Sequence, residues 1–249
     1  MLISIIVPCY NEQEALPHFY KAICAEAEKL APRELELIFV DDGSRDGTAR
    51  LLKELAQKDS RIRYLIFSRN FGKEAAMYAG LEHAGGDYVG IMDADLQHPP
   101  ALLPAMYEAV SKEGYDLCGG LRMGREGDSK LRGIFSRAFY KVSKKLTHMD
   151  MSDGHGDFRM MNRKVAEAIL EMKEYNRYMK GLFSFVGFDT KWIEYESVER
   201  VMGKSKWNFK SLFSYAFEGI LSFSTAPLKL AGLIGCLLFI GGLAFMGIN

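Results

Sequence analysis

The chain has 249 residues, 48% hydrophobic and 26% charged, which allows one sizeable core and excludes wholesale disorder. Lys plus Arg and Asp plus Glu both number 32, so a nucleic-acid binder that works through its overall field is excluded. The four cysteines, Cys9, Cys24, Cys118 and Cys236, are far apart and form no C-x-x-C pair, which suits neither a zinc site nor a disulfide framework.

Four short runs rich in Ile, Val, Phe and Tyr read as strands: Ile3–Val7, Glu36–Val40, Arg63–Phe67 and Tyr88–Met92. Between them, Glu12–Leu30, Asp46–Gln57 and Lys73–Ala84 carry apolar residues near three-four spacing and read as helices. The alternation predicts an α/β fold with right-handed crossovers and a mainly parallel sheet covered on both faces. Ligands of such sheets sit outside the carboxyl ends of the strands. At those ends the sequence places Pro8-Cys9-Tyr10-Asn11-Glu12, Asp41-Asp42-Gly43-Ser44-Arg45-Asp46-Gly47-Thr48, Ser68-Arg69-Asn70-Phe71-Gly72-Lys73 and Asp93-Ala94-Asp95-Leu96-Gln97-His98-Pro99-Pro100. One such loop is ordinary turn chemistry, but four on one rim make a site.

Further along, Leu131–Leu146 reads as an amphipathic helix with basic residues, and Gly187–Val201 as two short strands or a hairpin. Phe209–Leu228 is aromatic-rich and reads as an interfacial helix with Lys210 and Glu218 on its wet side, in preference to a helix packed on the catalytic domain. Leu230–Ile248 is a run of 19 uncharged residues with five glycines. At 1.5 Å per residue it covers about 28 Å, and its glycines suit a membrane helix better than a soluble one. The chain thus divides into a catalytic domain (1–208), a juxtamembrane segment (209–228) and a transmembrane helix (229–249). Arg200, Lys204, Lys206, Lys210 and Lys229 all precede the span, so a cell-membrane protein with its catalytic domain on the cytoplasmic face is expected. The span is a minimal anchor, and the natural chain is expected to continue past Asn249 into a second one. Gly235, Gly241 and Gly242 offer a close-packing face for that helix or for a neighbouring subunit, giving a homo-oligomer.

Asp93 and Asp95 stand two apart at a strand end and are expected to project from one face, with Gln97 in the same phase if the extended geometry persists. Two carboxylates and an amide oxygen form a hard donor set suited to Mg²⁺ or Mn²⁺, which implies a diphosphate partner. Tyr10 is placed to stack on a base or pack beside it, and Asp41 or Asp42 to accept from a ring N–H. Asp42–Thr48 can at the same time cap the following helix. His98 either touches the metal or diphosphate or, with Pro99, shapes the turn. His155, two residues before Asp157, is a further candidate.

VPCYNE, FVDDGSRDGT, RNFGKEAAMYAGLEHAGGD, MDADLQHPP, GDFRMMNR, KGLFSFVGF and RVMGKSKW occur in the order seen in glycosyltransferase family two. Among its members the chain most resembles the polyprenyl-phosphate glycosyltransferases, the group of dolichol-phosphate mannose synthase and the bactoprenol glucosyltransferases. The resemblance runs from Ile3 to Leu228. It implies a GT-A fold, a nucleotide-sugar donor such as UDP-glucose, a polyprenyl-phosphate acceptor at the membrane lipid, and inversion at the anomeric carbon.

Carried over by position, the resemblance gives Pro8, Tyr10, Glu12, Val40 and Asp42, with Asp41 beside them, as nucleotide contacts. Asp93 and Ala94 would lie by the ribose and diphosphate, and Asp95 and Gln97 would bind the metal. Arg122 matches a phosphate-binding arginine. Arg132 and Ser136, four apart on one helix face, match a pair that holds the acceptor phosphate. Arg200 and Lys206 match cations that close over the diphosphate. Asp157 matches a catalytic acid or base. A phosphate monoester has its second pKa at about 6, so the acceptor hardly needs a base, and orienting the acceptor or a cation is the alternative role.

A processive polysaccharide synthase would carry Q-x-x-R-W, whereas here Trp192 follows Lys191 and Trp207 follows Lys206. A nucleotidyltransferase would not need the span. A catalytically silent membrane scaffold, or a glycosyltransferase with a different acceptor, remains the alternative. Intact Asp93, Asp95, Gln97 and Asp157 weigh against the scaffold.

Overall fold

The computed structural model describes residues 1–30, 34–123, 155–174, 177–196, 219 and 221–248. Its sheet is built outward from β1 (Leu2–Cys9), which pairs in parallel with β2 (Glu34–Asp41) and with β4 (Tyr88–Ile91). On the far side of β2 lies β3 (Ile62–Ile66), also parallel. The crossovers are α1 (Leu16–Lys29), α2 (Thr48–Lys58) and α3 (Lys73–His83). After a 3-10 turn at Pro100–Leu102 come α4 (Leu103–Ser111), β5 (Leu117–Met123) and β6 (His155–Asn162). The remaining described elements are α5 (Arg163–Leu170), α6 (Met179–Phe185), β7 (Thr190–Glu196) and α7 (Ala226–Ile248).

The seven strands lie in the order β3-β2-β1-β4-β6-β5-β7. The sheet is mainly parallel, as expected, but β6 runs antiparallel to both its neighbours, β4 and β5. That reversal brings the beginning of β6, rather than its end, to the rim where the first four strands finish. Of Gly187–Val201, expected to form two short strands or a hairpin, the described part contains β7, parallel to β5; residues 197–201 lie outside the described residues.

Side chains alternate across the sheet with the strand period of two. Ile3, Ile5, Val7, Leu37 and Phe39 cluster with Phe19, Leu52 and Met106 of α1, α2 and α4. Ile6, Ile38 and Val40 cluster with Met77, Val165 and Leu182 of α3, α5 and α6. Both faces are therefore covered by helices. Away from the rim, the buried Glu36 carboxylate accepts from Ser4 Oγ (2.5 Å), Gly85 N (2.7 Å) and Arg63 Nη1 (3.2 Å). Burial pushes Glu36 up, but these donors outweigh it and hold the carboxyl below its ordinary range.

The described end of the juxtamembrane segment touches the catalytic domain. Phe223 is half-buried against the cluster containing Leu182 and Phe183, with its ring 6.1 Å from that of Phe185, while Leu221 is exposed. Among the described residues no helix is long and apolar enough to cross a membrane; α7 runs 23 residues.

Candidate functional site

The first two rim loops are laced together by backbone amides. Asn11, with φ +52°, donates its N–H to Ser44 Oγ (2.8 Å) and accepts from Arg45 N at Oδ1 (2.8 Å). Glu12 N donates to Thr48 Oγ1 (2.9 Å) and Gln13 N to Asp46 Oδ2 (3.2 Å). With these amides held by the neighbouring loop, α1 begins at Leu16 rather than at Glu12. Asp46 likewise stays outside α2 and accepts from Thr48 N (3.0 Å) and Thr48 Oγ1 (2.6 Å), so that helix begins at Thr48.

The second loop also grips the third. Asp42 accepts from Phe71 N (2.6 Å) and Gly72 N (2.9 Å). Burial raises its pKa, and these two N–H groups only partly oppose that. Gly43 makes the approach possible: its φ is +68°, and a Cβ there would strike the backbone of Arg69 and Asn70. Asp41 Oδ1 accepts from Ser44 N (3.1 Å) and from the Ser44 hydroxyl. Its Oδ2 is buried with no hydrogen-bond partner among the described residues. Of the two aspartates, Asp42 is therefore committed to the third loop, while Asp41 holds only its own turn. Tyr10 and Glu12 are half-buried, whereas Pro8 is buried within β1. Val40 is buried in the core.

The fourth loop departs from the expected geometry. Strand β4 ends at Ile91, and residues 94–98 form turns and bends, with Leu96 at φ +58°. Asp95 Oδ1 closes the turn by accepting from Gln97 N (3.1 Å). Asp93, Asp95 and Gln97 are thus not three teeth on one extended face, and the two aspartates have different tasks. Asp93 is gripped by Lys73 Nζ at 2.6 Å from Oδ1 and 2.8 Å from Oδ2, while Asp95 is buried in its own turn. Among the described residues no group of three or more His, Cys, Asp or Glu could hold a metal. Mg²⁺ and Mn²⁺ do not need one. A buried carboxylate and an amide oxygen, with phosphate oxygens and water completing the shell, match their hard-oxygen preference, and Asp95 and Gln97 fit that role.

His98 lies on a built platform. Its ring stacks on Phe158 (5.4 Å between centroids, 30° between planes), its Nδ1 is 2.5 Å from the Tyr195 hydroxyl, and its Nε2 is 3.5 Å from Asp93 Oδ2. Burial pushes the Tyr195 hydroxyl up to about 12, and Arg122, opposite it in the β5–β7 register, only partly opposes this. The phenol therefore stays protonated at physiological pH. With the Asp93 carboxylate near Nε2, the favoured arrangement has Tyr195 donating to Nδ1. Tyr195→Phe is expected to cost about 1 kcal/mol of stability and to leave His98 free to rotate. A thermal melt together with the His98 ring signals in NMR checks this, and an unmoved ring would refute it.

Asp157 lies near the start of β6, two residues after His155, on the same rim. Burial raises its pKa, but Lys73 and then Lys180 outweigh that and hold the carboxyl low. Two residues on, the buried Arg159 guanidinium lies 4.4 Å from the Phe183 ring and 5.2 Å from the Trp192 ring. Asp41, Asp93, Ala94, Asp95, Gln97, Arg122 and Asp157 are thus gathered at one rim of the sheet. Arg132, Ser136, Arg200 and Lys206 lie outside the described residues. Sequence reasoning missed Tyr195, Arg159 and Lys180, and it quoted Lys73 without giving it a role. Lys73, Arg159 and Lys180 stand in RNFGKEAA, GDFRMMNR and KGLFSFVGF, none of which says what its cation touches, and Tyr195 stands in none of the quoted motifs.

A seven-stranded α/β sheet with acids, amides and cations at one rim is the architecture of a nucleotide-sugar transferase. Residues 4–170 match the model of Glycosyl transferase family 2, and the chain belongs to that family. It is 42% identical over 246 residues to the bactoprenol glucosyl transferase of Shigella phage SfV, covering 99% of this chain and 79% of that one. The same identity and coverage hold for the prophage bactoprenol glucosyl transferase homolog of Escherichia coli strain K12. In fold it is similar to glucosyl-3-phosphoglycerate synthase from Mycobacterium tuberculosis, solved with Mn²⁺, UDP-glucose and phosphoglyceric acid. That likeness has a TM-score of 0.58 at 18% identity, covering 88% of this chain and 77% of that one. Mannosyl-3-phosphoglycerate synthase from Rubrobacter xylanophilus gives a TM-score of 0.61 at 16% identity, over 93% of this chain and 75% of that one.

Proposed function

We propose that this glycosyltransferase moves a single glucose from UDP-glucose to the phosphate of a polyprenyl lipid, with inversion and with the help of Mg²⁺ or Mn²⁺. The observation that carries the reading is 42% identity over 99% of the chain to proteins named for transfer of glucose to bactoprenol. The chemistry of the rim is consistent with it. An oxygen of the lipid phosphate attacks the anomeric carbon as the bond from that carbon to the diphosphate breaks, and the electron pair leaves with UDP. A dianionic phosphate and UDP-glucose become a monoanionic phosphodiester and UDP carrying one more negative charge. No proton has to move.

The work left to this chain is positioning and charge. Asp41 accepts from the base, the laced loops hold the nucleoside, and Arg122 meets phosphate. A divalent ion on Asp95 and Gln97 would supply charge to the departing diphosphate. Asp157, held charged by its lysines, accepts hydrogen bonds and orients what lies beside it. A group whose pKa is held low is a poor base near neutral pH.

The reading also includes attachment to the membrane by α7. Its 23 residues carry no charge beyond Lys229. Leu233, Leu237, Leu238, Phe239, Phe245 and Met246 are all exposed on it, an apolar surface suited to lipid. Lys229 at its start favours a cytoplasmic catalytic domain, which protease protection in sealed vesicles would check.

The deciding experiment offers undecaprenyl phosphate to the full chain in detergent with UDP-glucose, UDP-N-acetylglucosamine or GDP-mannose, and reads lipid products by mass. A hexose-phosphate lipid formed from UDP-glucose is expected. Preference for another donor overturns the sugar assignment, and absence of any lipid product overturns the acceptor.

A further inference from the structure

The last ladder pairs of β4 and β6 run Gly90↔Met160 and Ile91↔Arg159. Beyond the last pair, where the chain after β4 is no longer extended, Asp93 and Asp157 lie close enough to share one lysine. Like charges held close together are destabilising, more so where water is scarce. Lys73 resolves the conflict. Its Nζ lies 2.6 Å from Asp93 Oδ1, 2.8 Å from Asp93 Oδ2 and 2.6 Å from Asp157 Oδ2.

The needs of its own helix do not explain this lysine. Lys73 opens α3, where the helix dipole disfavours a cation. Its aim is set from outside the helix: Asp42 holds the two preceding amides, Phe71 N and Gly72 N, and Gly72 sits at φ +97°. The next residue, Glu74, accepts from Met179 N (2.8 Å) and so ties α3 to the start of α6, beside Lys180. The bridge is also open to the rim. The side chains of Lys73, Asp93 and Asp157 keep 33%, 24% and 14% of their exposure, so substrate can reach them.

We infer that Lys73 is a positioning residue of the transfer reaction: it joins Asp93 on the donor side to Asp157 at the head of β6 and fixes Asp157 as a charged hydrogen-bond acceptor beside the sugar. The inference rests on the proposed transfer and deepens it. Without the ammonium, two carboxylates lie close together where a phosphate dianion and a diphosphate must both enter. Lys73 acts through Asp157, so the two should fail together.

The test is a double-mutant cycle on the full chain with Lys73→Met, Asp157→Asn and both together. Each variant is read as UDP release from UDP-glucose, with the lipid acceptor and with water alone, and as a melting temperature. Lys73→Met is expected to lower kcat about a hundredfold while KM for UDP-glucose changes less than about fivefold. The double variant should be no slower than Asp157→Asn alone, and should melt higher than Lys73→Met because one of the two like charges is gone. Losses that multiply would give the two residues independent roles and overturn the inference. So would a Lys73→Met enzyme that melts lower but keeps its kcat, since the bridge would then be structural only. A wild-type enzyme that leaves the lipid unmodified refutes the acceptor reading instead, and the cycle is then decided by UDP release to water.

Discussion

Asp95→Asn is expected to slow transfer by about a thousandfold while moving the melting temperature by no more than about 2 °C. The asymmetry follows from the turn in which the residue sits. Asp95 Oδ1 accepts from Gln97 N across Leu96, whose φ is +58°, and an asparagine oxygen can accept the same bond. Volume and turn are preserved, and only the charge that would face a divalent ion is lost. Asp93→Asn should behave differently: it removes a partner of Lys73 and should lower melting temperature as well as rate. EDTA is expected to abolish transfer by the wild type, and Mg²⁺ or Mn²⁺ to restore it. Undiminished turnover in chelator, or an Asp95→Asn enzyme at full rate, would remove the metal from this site.

The contrast between the two aspartates marks where the sequence is legible. Strands β1 to β4 could be found because a run of Ile, Val and Phe bounded by turn residues has few other uses, and their shared direction collects the four loops at one rim. What each loop does with its side chains depends on the ends of the elements, where local geometry takes over. Asp93, Asp95 and Gln97 read as one face only while the chain stays extended, and it stops being extended at Ile91. Asp41 and Asp42 are indistinguishable as letters. The structure separates them because Asp42 meets the amides of Phe71 and Gly72, thirty residues away along the chain. Residues beyond Tyr115 were hardest to read. Tyr195 reaches His98 because β7 lies at the sheet edge next to β5, and Asp157 comes within reach of the lysine that holds Asp93 because β6 is inserted antiparallel beside β4. No spacing along the chain encodes either neighbour.

Arg159 is the clearest residue of this kind, and Arg159→Lys is expected to lower stability by about 2 kcal/mol, or about 4–8 °C in melting temperature. The arginine is buried with its guanidinium over Phe183 of α6 and Trp192 of β7, and its Nε donates to Gly156 O at 3.2 Å. The Trp192 ring can lie there because Gly119 on β5 has no side chain, and a Cβ at that position would strike the ring. A planar, weakly hydrated guanidinium can stack on two rings and still donate in its own plane, whereas an ammonium is a hydrated point charge that can do neither as well. Gly156 immediately precedes Asp157, so the Nε bond ties Arg159 to the residue next to that carboxylate. Loosening it should reduce kcat about tenfold through Asp157, even in enzyme that remains folded. Melting curves with and without UDP-glucose separate the two effects: donor binding should recover part of the melting temperature, but not the rate. An Arg159→Lys enzyme that melts and turns over like the wild type would mean that the rings and the strand hold Asp157 in place without the guanidinium.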